Sequence, residues 1–115
     1  MEELSLKDLS PYQKRLDIIE KTAAQVQKDF GTFNHEISFS GNTETAYEEL
    51  YEQVLMHMSS LWEKQQDNFW NILYRIDLDE NQTRKALQND NPIELLTDMI
   101  LQRELKKVVI REYYK

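Results

Sequence analysis

The strongest constraint on this chain is a helix-start signal that occurs three times. Each copy has a small oxygen-bearing residue followed three positions later by Gln or Glu: Ser10-Pro11-Tyr12-Gln13, Thr45-Ala46-Tyr47-Glu48 and Asn91-Pro92-Ile93-Glu94. The first residue can accept from free N–H groups of the first turn, and the fourth can reach back to the cap. Two copies place proline at the first helical position, where its missing N–H costs nothing. The sequence therefore predicts three long helices with defined starting points.

Length and composition predict one folded domain. The 115 residues are 40% apolar, which is enough to bury a core, and we expect a single helical domain over 1–115 with residues 1–9 as a flexible N-terminal arm. The chain has no cysteine, which excludes disulfides, thiolate metal ligands and cysteine nucleophiles.

The N-terminus is acidic and lacks a continuous apolar core, so we interpret it as neither a secretory signal nor a transit peptide. No apolar run approaches the length of a membrane span. These features predict a cytoplasmic protein that does not bind membranes.

Charge is unevenly distributed along the chain. Residues 36–82 carry a net charge of −8, while residues 83–115 carry +2. An acidic chain repels phosphate backbones, and the basic residues near the C-terminus alternate with Glu104 and Glu112. We therefore expect no nucleic-acid partner, although an acidic nucleic-acid mimic that binds a basic protein stays open.

The first helix is predicted from Pro11 to Phe30, with Gly31 as its left-handed cap. Its apolar residues are spaced by three and four and form one narrow seam: Tyr12, Leu16, Ile19, Ala23, Val26 and Phe30. Ile18 falls outside this seam and is expected to be exposed.

The segment between Gly31 and Thr45 alternates apolar and polar residues, from Phe33 to Phe39. Such alternation is typical of a strand, but one strand leaves both of its edges unpaired. We favour a loop that packs its aromatic side chains on the helices, with a short strand or hairpin as the alternative.

The second helix is predicted from Thr45 to about Asp77, a stretch without proline or glycine. Unbroken, it would be about 50 Å long, so it must overhang its neighbours or bend. Ser59-Ser60 is the expected position of any bend, because serine hydroxyls compete for the carbonyl one turn back. A straight helix through these serines is the favoured interpretation.

Polar side chains interrupt the apolar face of this helix. Gln65 lies in the middle of the face, and His57 and Asn68 lie at its margin. We interpret them as polar groups satisfied by neighbours. The alternative is a polar pocket formed by all three.

Aromatic residues also lie on the opposite face. Trp70 and Tyr74 are four positions apart there, and Met56 points the same way. Either the C-terminal helix covers them or they form a contact surface for a partner.

The last part of the chain predicts a short helix and a long one. The short helix is capped by Asp79 and ends near Gln88, and the long helix runs from Pro92 to about Tyr113. The long helix is apolar on two sides, and its second side carries Leu101, Leu105 and Val108. It is therefore expected to lie between two other helices or to meet a second copy of the chain.

No motif for chemistry is found. Two glycines cannot build a Gly-rich phosphate loop, and neither histidine follows a glutamate at the Glu-x-x-His spacing of di-iron bundles. A Ser-His-acid triad has no support in the sequence, although two histidines leave it open. We therefore expect no enzyme activity, no cofactor and no metal site.

Two stretches resemble small uncharacterised helical proteins of bacteria. They are Ile72-Leu73-Tyr74-Arg75-Ile76-Asp77 and Leu101-Gln102-Arg103-Glu104-Leu105-Lys106-Lys107, which together lie in the last third of the chain or close to it. The resemblance implies a helical fold and a bacterial source, and it implies no activity and no site residue.

The sequence as a whole predicts an all-α fold, an irregular antiparallel bundle of three major helices plus one short helix. The leading functional hypothesis is a non-enzymatic interaction or assembly module, a homodimer. Its candidate interface consists of Met56, Trp70, Tyr74, Leu101, Leu105 and Val108. The alternative is a small-ligand-binding or enzyme-like bundle with its pocket near His57, Gln65 and Asn68.

Overall fold

The computed structural model describes residues 16–33 and 35–113 of the chain. Within these ranges there are five helices and no strand, namely α1 (Leu16–Gly31), α2 (Ala46–Lys64), α3 (Gln66–Ile76), α4 (Glu80–Leu87) and α5 (Pro92–Tyr113). The all-α prediction is confirmed. The predicted count of three major helices and one short one is wrong, because the second helix is divided in two. The arm at 1–9 and the start signal at Ser10 lie outside the described residues.

Helix α5 is the centre of the fold and contacts each of the other four helices. It runs from Pro92 to Tyr113, as the sequence predicts. Its buried residues occur on several sides of the helix and are Leu96, Thr97, Ile100, Leu101, Glu104, Leu105, Val108 and Val109. The two apolar sides seen in the sequence are therefore both covered within one chain, by α1 on one side and α2 on another.

The expectation for Ile18 is wrong. Ile18 is completely buried and packs with Leu105, Val108 and Val109 of α5. The predicted seam also holds where the structure describes its side chains, since Ile19, Ala23, Val26 and Phe30 are all buried. Helix α1 thus buries a wider face than its main apolar stripe indicates, because α5 offers it apolar side chains beyond that stripe.

The second predicted helix breaks at Gln65, not at Ser59-Ser60. Gln65 has φ −144° and ψ 67°, which ends α2 and starts α3 in a new direction. An unbroken helix of this length would be about 50 Å long. The folded chain measures 36 × 31 × 25 Å along its principal axes, so it cannot contain such a rod. The break lets Trp62 of α2 and Phe69 of α3 meet edge to face, with ring centroids 5.0 Å apart.

The segment 35–40 is a loop, which confirms the favoured prediction and excludes the strand. Phe33 and Phe39 pack on the core and Ile37 is buried. Side chains of α2 replace the missing strand partner. Gln53 accepts from the Ser38 N–H at 2.8 Å and donates to the Ser38 carbonyl at 2.7 Å, and Glu49 accepts from the Ser40 N–H at 3.0 Å. The backbone groups of Ser38 and the Ser40 N–H are therefore satisfied without a sheet.

The helix ends follow the predicted signals, with two exceptions, at Gly31 and Thr45. Gly31 is the last residue of α1 and does not have the positive φ of a left-handed cap, so that prediction is wrong. Asp79 caps α4 by accepting from the Gln82 N–H at 2.9 Å, and Asp77 ends α3 in the left-handed conformation (φ 64°). Thr45 is the residue before α2, but its side chain does not cap the helix. Its hydroxyl instead donates to Glu49 at 2.6 Å, because Glu49 is already turned toward the loop at Ser40. The capping box predicted with Glu48 does not form.

The burial of Ile18 can be tested by truncation. We expect Ile18→Ala to lower the free energy of unfolding by about 2 to 4 kcal/mol, because it leaves a cavity against α5. The matched change on α5, at the exposed Leu95, should cost less than about 1 kcal/mol. Urea unfolding followed by circular dichroism measures both. If Ile18→Ala and Leu95→Ala lowered the free energy of unfolding by the same small amount, the burial of Ile18 would be contradicted.

Candidate functional site

A cleft opens between α1, α2, α5 and the residues that precede α2. Its volume is about 570 Å³, and its lining residues are Ile19, Thr22, Thr43, Glu44, Ala46, Tyr47, Leu50, Leu101, Gln102 and Leu105. Five of these are apolar and form most of the wall. The cleft exists because α1 and α2 pack on different sides of α5 and leave a gap that no further helix of the described chain fills.

Two hydroxyls of the cleft already donate their protons within the folded chain. The Thr22 hydroxyl donates its proton to the Ile18 carbonyl at 2.8 Å, so its lone pairs remain. The Tyr47 hydroxyl donates to the Asp98 carboxylate. Gln102 Oε1 is buried and has no hydrogen-bond partner among the described residues. Glu44 contributes a carboxylate, and none of the lining residues is Lys or Arg.

The surroundings of Tyr47 determine the protonation state of its phenol. Burial raises the pKa of its phenol above the ordinary value, and the hydrogen bond to Asp98 raises this pKa further. Tyr47 is therefore neutral at physiological pH and keeps its proton directed at Asp98. Its oxygen can accept a hydrogen bond but cannot donate a second one.

An ion cluster of Asp29, Arg75, Glu104 and Lys107 lies where α1, α3 and α5 meet, and its two carboxyl groups are buried. Asp29 accepts from Arg75 Nε at 3.0 Å, and its other oxygen accepts from Gln25 at 3.1 Å and lies 3.9 Å from Lys107 Nζ. Burial opposes ionisation of Asp29, but the hydrogen bond from Glu104, followed by that from Gln25 and the charges of Lys107 and Arg75, outweighs it and holds the pKa of Asp29 below the ordinary value. Asp29 is therefore the ionised acid of the cluster.

Glu104 is the acid of the cluster that keeps its proton. Its side chain is 0% exposed, and burial followed by the Asp29 carboxylate raises its pKa to about 8. As a carboxylate it has no hydrogen-bond donor among the described residues, although Lys107 Nζ lies 3.2 Å from Oε1. With a proton, Glu104 donates to Asp29 and the pair shares one negative charge. Because Glu104 and Asp29 are both buried, no substrate reaches them and we interpret the cluster as structural.

The candidate interface divides into two groups in the structure. Leu101, Leu105 and Val108 are buried within the chain, so they are not part of an open surface. The physical reason is that α1 packs on this side of α5 and takes the place that a second copy would need. Leu101 and Leu105 nevertheless reach the cleft and form part of its wall.

The other three interface candidates lie on α2 and α3. Met56 is 61% exposed and Tyr74 is 65% exposed. Trp70 is partly buried against the core and meets Phe69 edge to face, with ring centroids 5.5 Å apart. Two of the three side chains are therefore available at the surface.

The three polar-pocket candidates are not brought together. His57 holds the loop instead, with its Nδ1 2.8 Å from Nδ1 of His35 and its Nε2 2.9 Å from the Glu36 carbonyl oxygen. Gln65 is exposed at the break between α2 and α3, where it accepts from Asn68 at 2.9 Å. The break turns Gln65 away from the apolar face on which a continuous helix would place it.

The hydrogen bonds of His57 also locate one of its protons. Its Nε2 faces a carbonyl oxygen and therefore carries a proton, and of the two facing Nδ1 atoms of His35 and His57 one donates and the other accepts. Burial lowers the pKa of His35, and the charge that His57 would carry lowers it further. The lowered pKa favours a neutral His35 ring in this loop contact.

Sequence reasoning missed the polar residues of the cleft, which are Thr22, Thr43, Glu44 and Gln102. Only Gln102 gives a signal in the sequence, because it lies three positions before Leu105 and so borders the second apolar side of α5. The other three become neighbours only when α1 and the 43–44 segment meet α5.

Among the residues that the structure describes, no group of three or more His, Asp or Glu side chains is arranged to hold a metal ion. No helix in this part of the chain is both long and apolar enough to cross a membrane.

Known proteins offer no further guide to the cleft. No family model matches the chain, and neither does any curated protein or any solved structure. The function has to be argued from the geometry of the site.

The raised pKa of Glu104 predicts a pH dependence of stability. The folded chain holds this proton up to about pH 8, whereas the unfolded chain releases it near the ordinary glutamate pKa of 4.5. The contribution of Glu104 is therefore complete below pH 4.5 and is lost as the pH rises toward 8, by up to about 1.4 kcal/mol per pH unit. Glu104→Gln, which keeps a donor toward Asp29 without titrating, should remove this slope.

Urea unfolding between pH 5 and pH 8 is the measurement, as the difference between the variant and the natural chain. Other groups, including His35, titrate alike in both proteins and cancel in the difference. Glu63→Gln, at an exposed position on α2, is the control and should leave the slope intact. A Glu104→Gln slope equal to that of the natural chain would contradict the assignment.

Proposed function

We propose that this protein is a small-ligand-binding helical bundle and that the cleft is its binding site. The observation that carries the proposal is the cleft itself, about 570 Å³ in volume, with a mainly apolar wall. Binding sites for small molecules are typically concave, about 300 to 1,000 Å³ in volume, and lined by apolar side chains with a few polar groups. The cleft has each of these properties.

The wall residues support a preformed site. Leu50, Leu101 and Leu105 belong to helices that pack on one another through a buried core, so their positions do not depend on a ligand. The polar groups come from three different elements and converge on the same space. Thr22 belongs to α1, Glu44 to the segment before α2, and Gln102 to α5. Such convergence gives orientation to a bound molecule, while the leucines supply the apolar contact.

Filling the cleft should abolish binding. We expect the neutral fluorescent probe N-phenyl-1-naphthylamine to bind the natural chain and to lose at least about tenfold in affinity in Thr43→Trp, because the indole occupies the mouth of the cleft. Leu105→Trp fills the same space from the opposite wall. Fluorescence titration measures both variants, after circular dichroism has established that they fold.

Leu95→Trp is the matched control, because Leu95 is an exposed residue of α5 that does not line the cleft. It should bind the probe as the natural chain does. If the natural chain does not bind the probe, or if folded Thr43→Trp and Leu105→Trp both bind it normally, the proposal is wrong.

A homodimeric assembly module is the second candidate, and the exposure of Met56 and Tyr74 favours it. Large exposed apolar side chains are frequent anchors in protein interfaces. The surface available for such an interface is smaller than the sequence predicts, because Leu101, Leu105 and Val108 are buried within the chain.

Sedimentation equilibrium tests this second candidate at micromolar chain concentrations. The assembly hypothesis expects a dimer that Met56→Glu or Tyr74→Glu shifts toward monomer, since each places a charge in the contact. Leu95→Glu should leave the dimer unchanged. A natural chain that sediments as a monomer at every concentration would remove the candidate.

A further inference from the structure

The cleft is distinguished by the kind of polar group it presents. A site built for an anionic ligand offers N–H donors or cationic side chains, whereas none of the described lining residues is Lys or Arg. Among these described residues, Glu44 is the only charged one. The charge at the described part of the wall therefore suits a ligand that donates hydrogen bonds.

Two hydroxyls of the cleft can act only as acceptors toward a ligand, because each already donates its proton within the folded chain. Thr22 directs its proton to the Ile18 carbonyl, and Tyr47 directs its proton to Asp98. Each oxygen keeps lone pairs for an incoming donor. Neither hydroxyl can serve an acceptor on a ligand without breaking a bond that the folded chain already makes.

Gln102 adds an unsatisfied acceptor. Its Oε1 is buried without a hydrogen bond from any described residue, and an acceptor in this condition has lost water without gaining a partner. This oxygen is not exposed at the cleft wall, so a ligand N–H restores the missing hydrogen bond only if the Gln102 side chain turns toward the cleft. A carboxylate on the ligand would gain nothing there, because it only accepts.

The Glu44 carboxylate favours a ligand with a positive charge. Its carboxylate is exposed at the cleft and has no ion pair among the described residues. It lies in the segment 36–82, whose net charge is −8, so the surrounding field also attracts cations and repels anions. A cation at the mouth would gain a charge-assisted hydrogen bond that no other lining residue offers.

On these grounds, which rest on the proposed function, we infer that the ligand of the cleft is a small apolar molecule that carries an amine. Its apolar body lies against Leu50, Leu101 and Leu105, and its ammonium group lies toward Glu44 with N–H groups directed at the acceptor oxygens. An alkylamine has a pKa close to that of a lysine side chain, about 10.4, and is therefore charged at neutral pH.

The test compares three molecules that share an eight-carbon chain and differ only in the head group. Octylamine, octanol and octanoate are titrated against the bound N-phenyl-1-naphthylamine at pH 7. We expect octylamine to displace the probe at about tenfold lower concentration than octanol, and octanoate to be the weakest of the three. Octanoate equal to or better than octylamine, with the probe still bound normally, would overturn the inference and leave the proposed function standing.

Two charge-neutralising variants test whether Glu44 is the residue that favours the amine. Glu44→Gln should weaken octylamine by at least about threefold and leave octanol unchanged, because only the amine uses the carboxylate. Glu48→Gln, the same change at an exposed position one turn away that does not line the cleft, should leave both unchanged. Equal loss in the two variants would show that the general field, and not Glu44, selects the amine. Failure of the probe to bind at all would instead refute the cleft as a binding site.

Discussion

The fold depends on the burial of α5 on several sides at once. Each of the other helices packs against this helix, and its buried residues extend around most of its circumference. A helix with apolar groups on opposite sides cannot lie at a surface, because one side would remain in water. Placing it at the centre divides the other helices between its sides. The gap between α1 and α2 on α5, which forms the cleft, is a direct result of that division.

The sequence predicts most of the helices because their signals are local. The start at Pro92, the cap at Asp79 and the end near Asp77 each depend on residues within one turn. The break at Gln65 was not predicted at its position, because nothing in the local sequence marks it. What decides it is the size of the core, since a straight helix would extend beyond the folded chain and would separate Trp62 from Phe69. The exposure predicted for Ile18 fails for a similar reason, because its partners are about ninety residues away in the chain.

The loop between α1 and α2 shows a signal that periodicity arguments overlook. Glu49, Gln53 and His57 are spaced by four and lie along one side of α2, and all three bind the backbone or a side chain of residues 35–40. A helical wheel treats this stripe as a solvated face. In the folded chain it acts as the hydrogen-bonding edge that an extended segment requires. The cleft is harder still to predict, because Thr22, Thr43 and Gln102 are far apart in sequence and only the packing of α1 and α2 on α5 brings them together.

The cleft and the ion cluster around Glu104 both lie along the contact between α1 and α5. On α1, Thr22 lies at the cleft and Asp29 lies two turns further on, and on α5 Glu104 immediately precedes Leu105 of the cleft wall. Burying a carboxyl group that keeps a proton costs stability that an apolar side chain would not cost. Groups with strongly shifted pKa values are more frequent near functional sites than elsewhere, although structural ion clusters shift them as well. A molecule that binds only the folded chain stabilises it by mass action, and in the cleft it would do so through the same pair of helices. If the proposed function holds, a ligand in the cleft and the proton on Glu104 would act on one contact, and both would favour the arrangement of α1 on α5 from which the cleft is built.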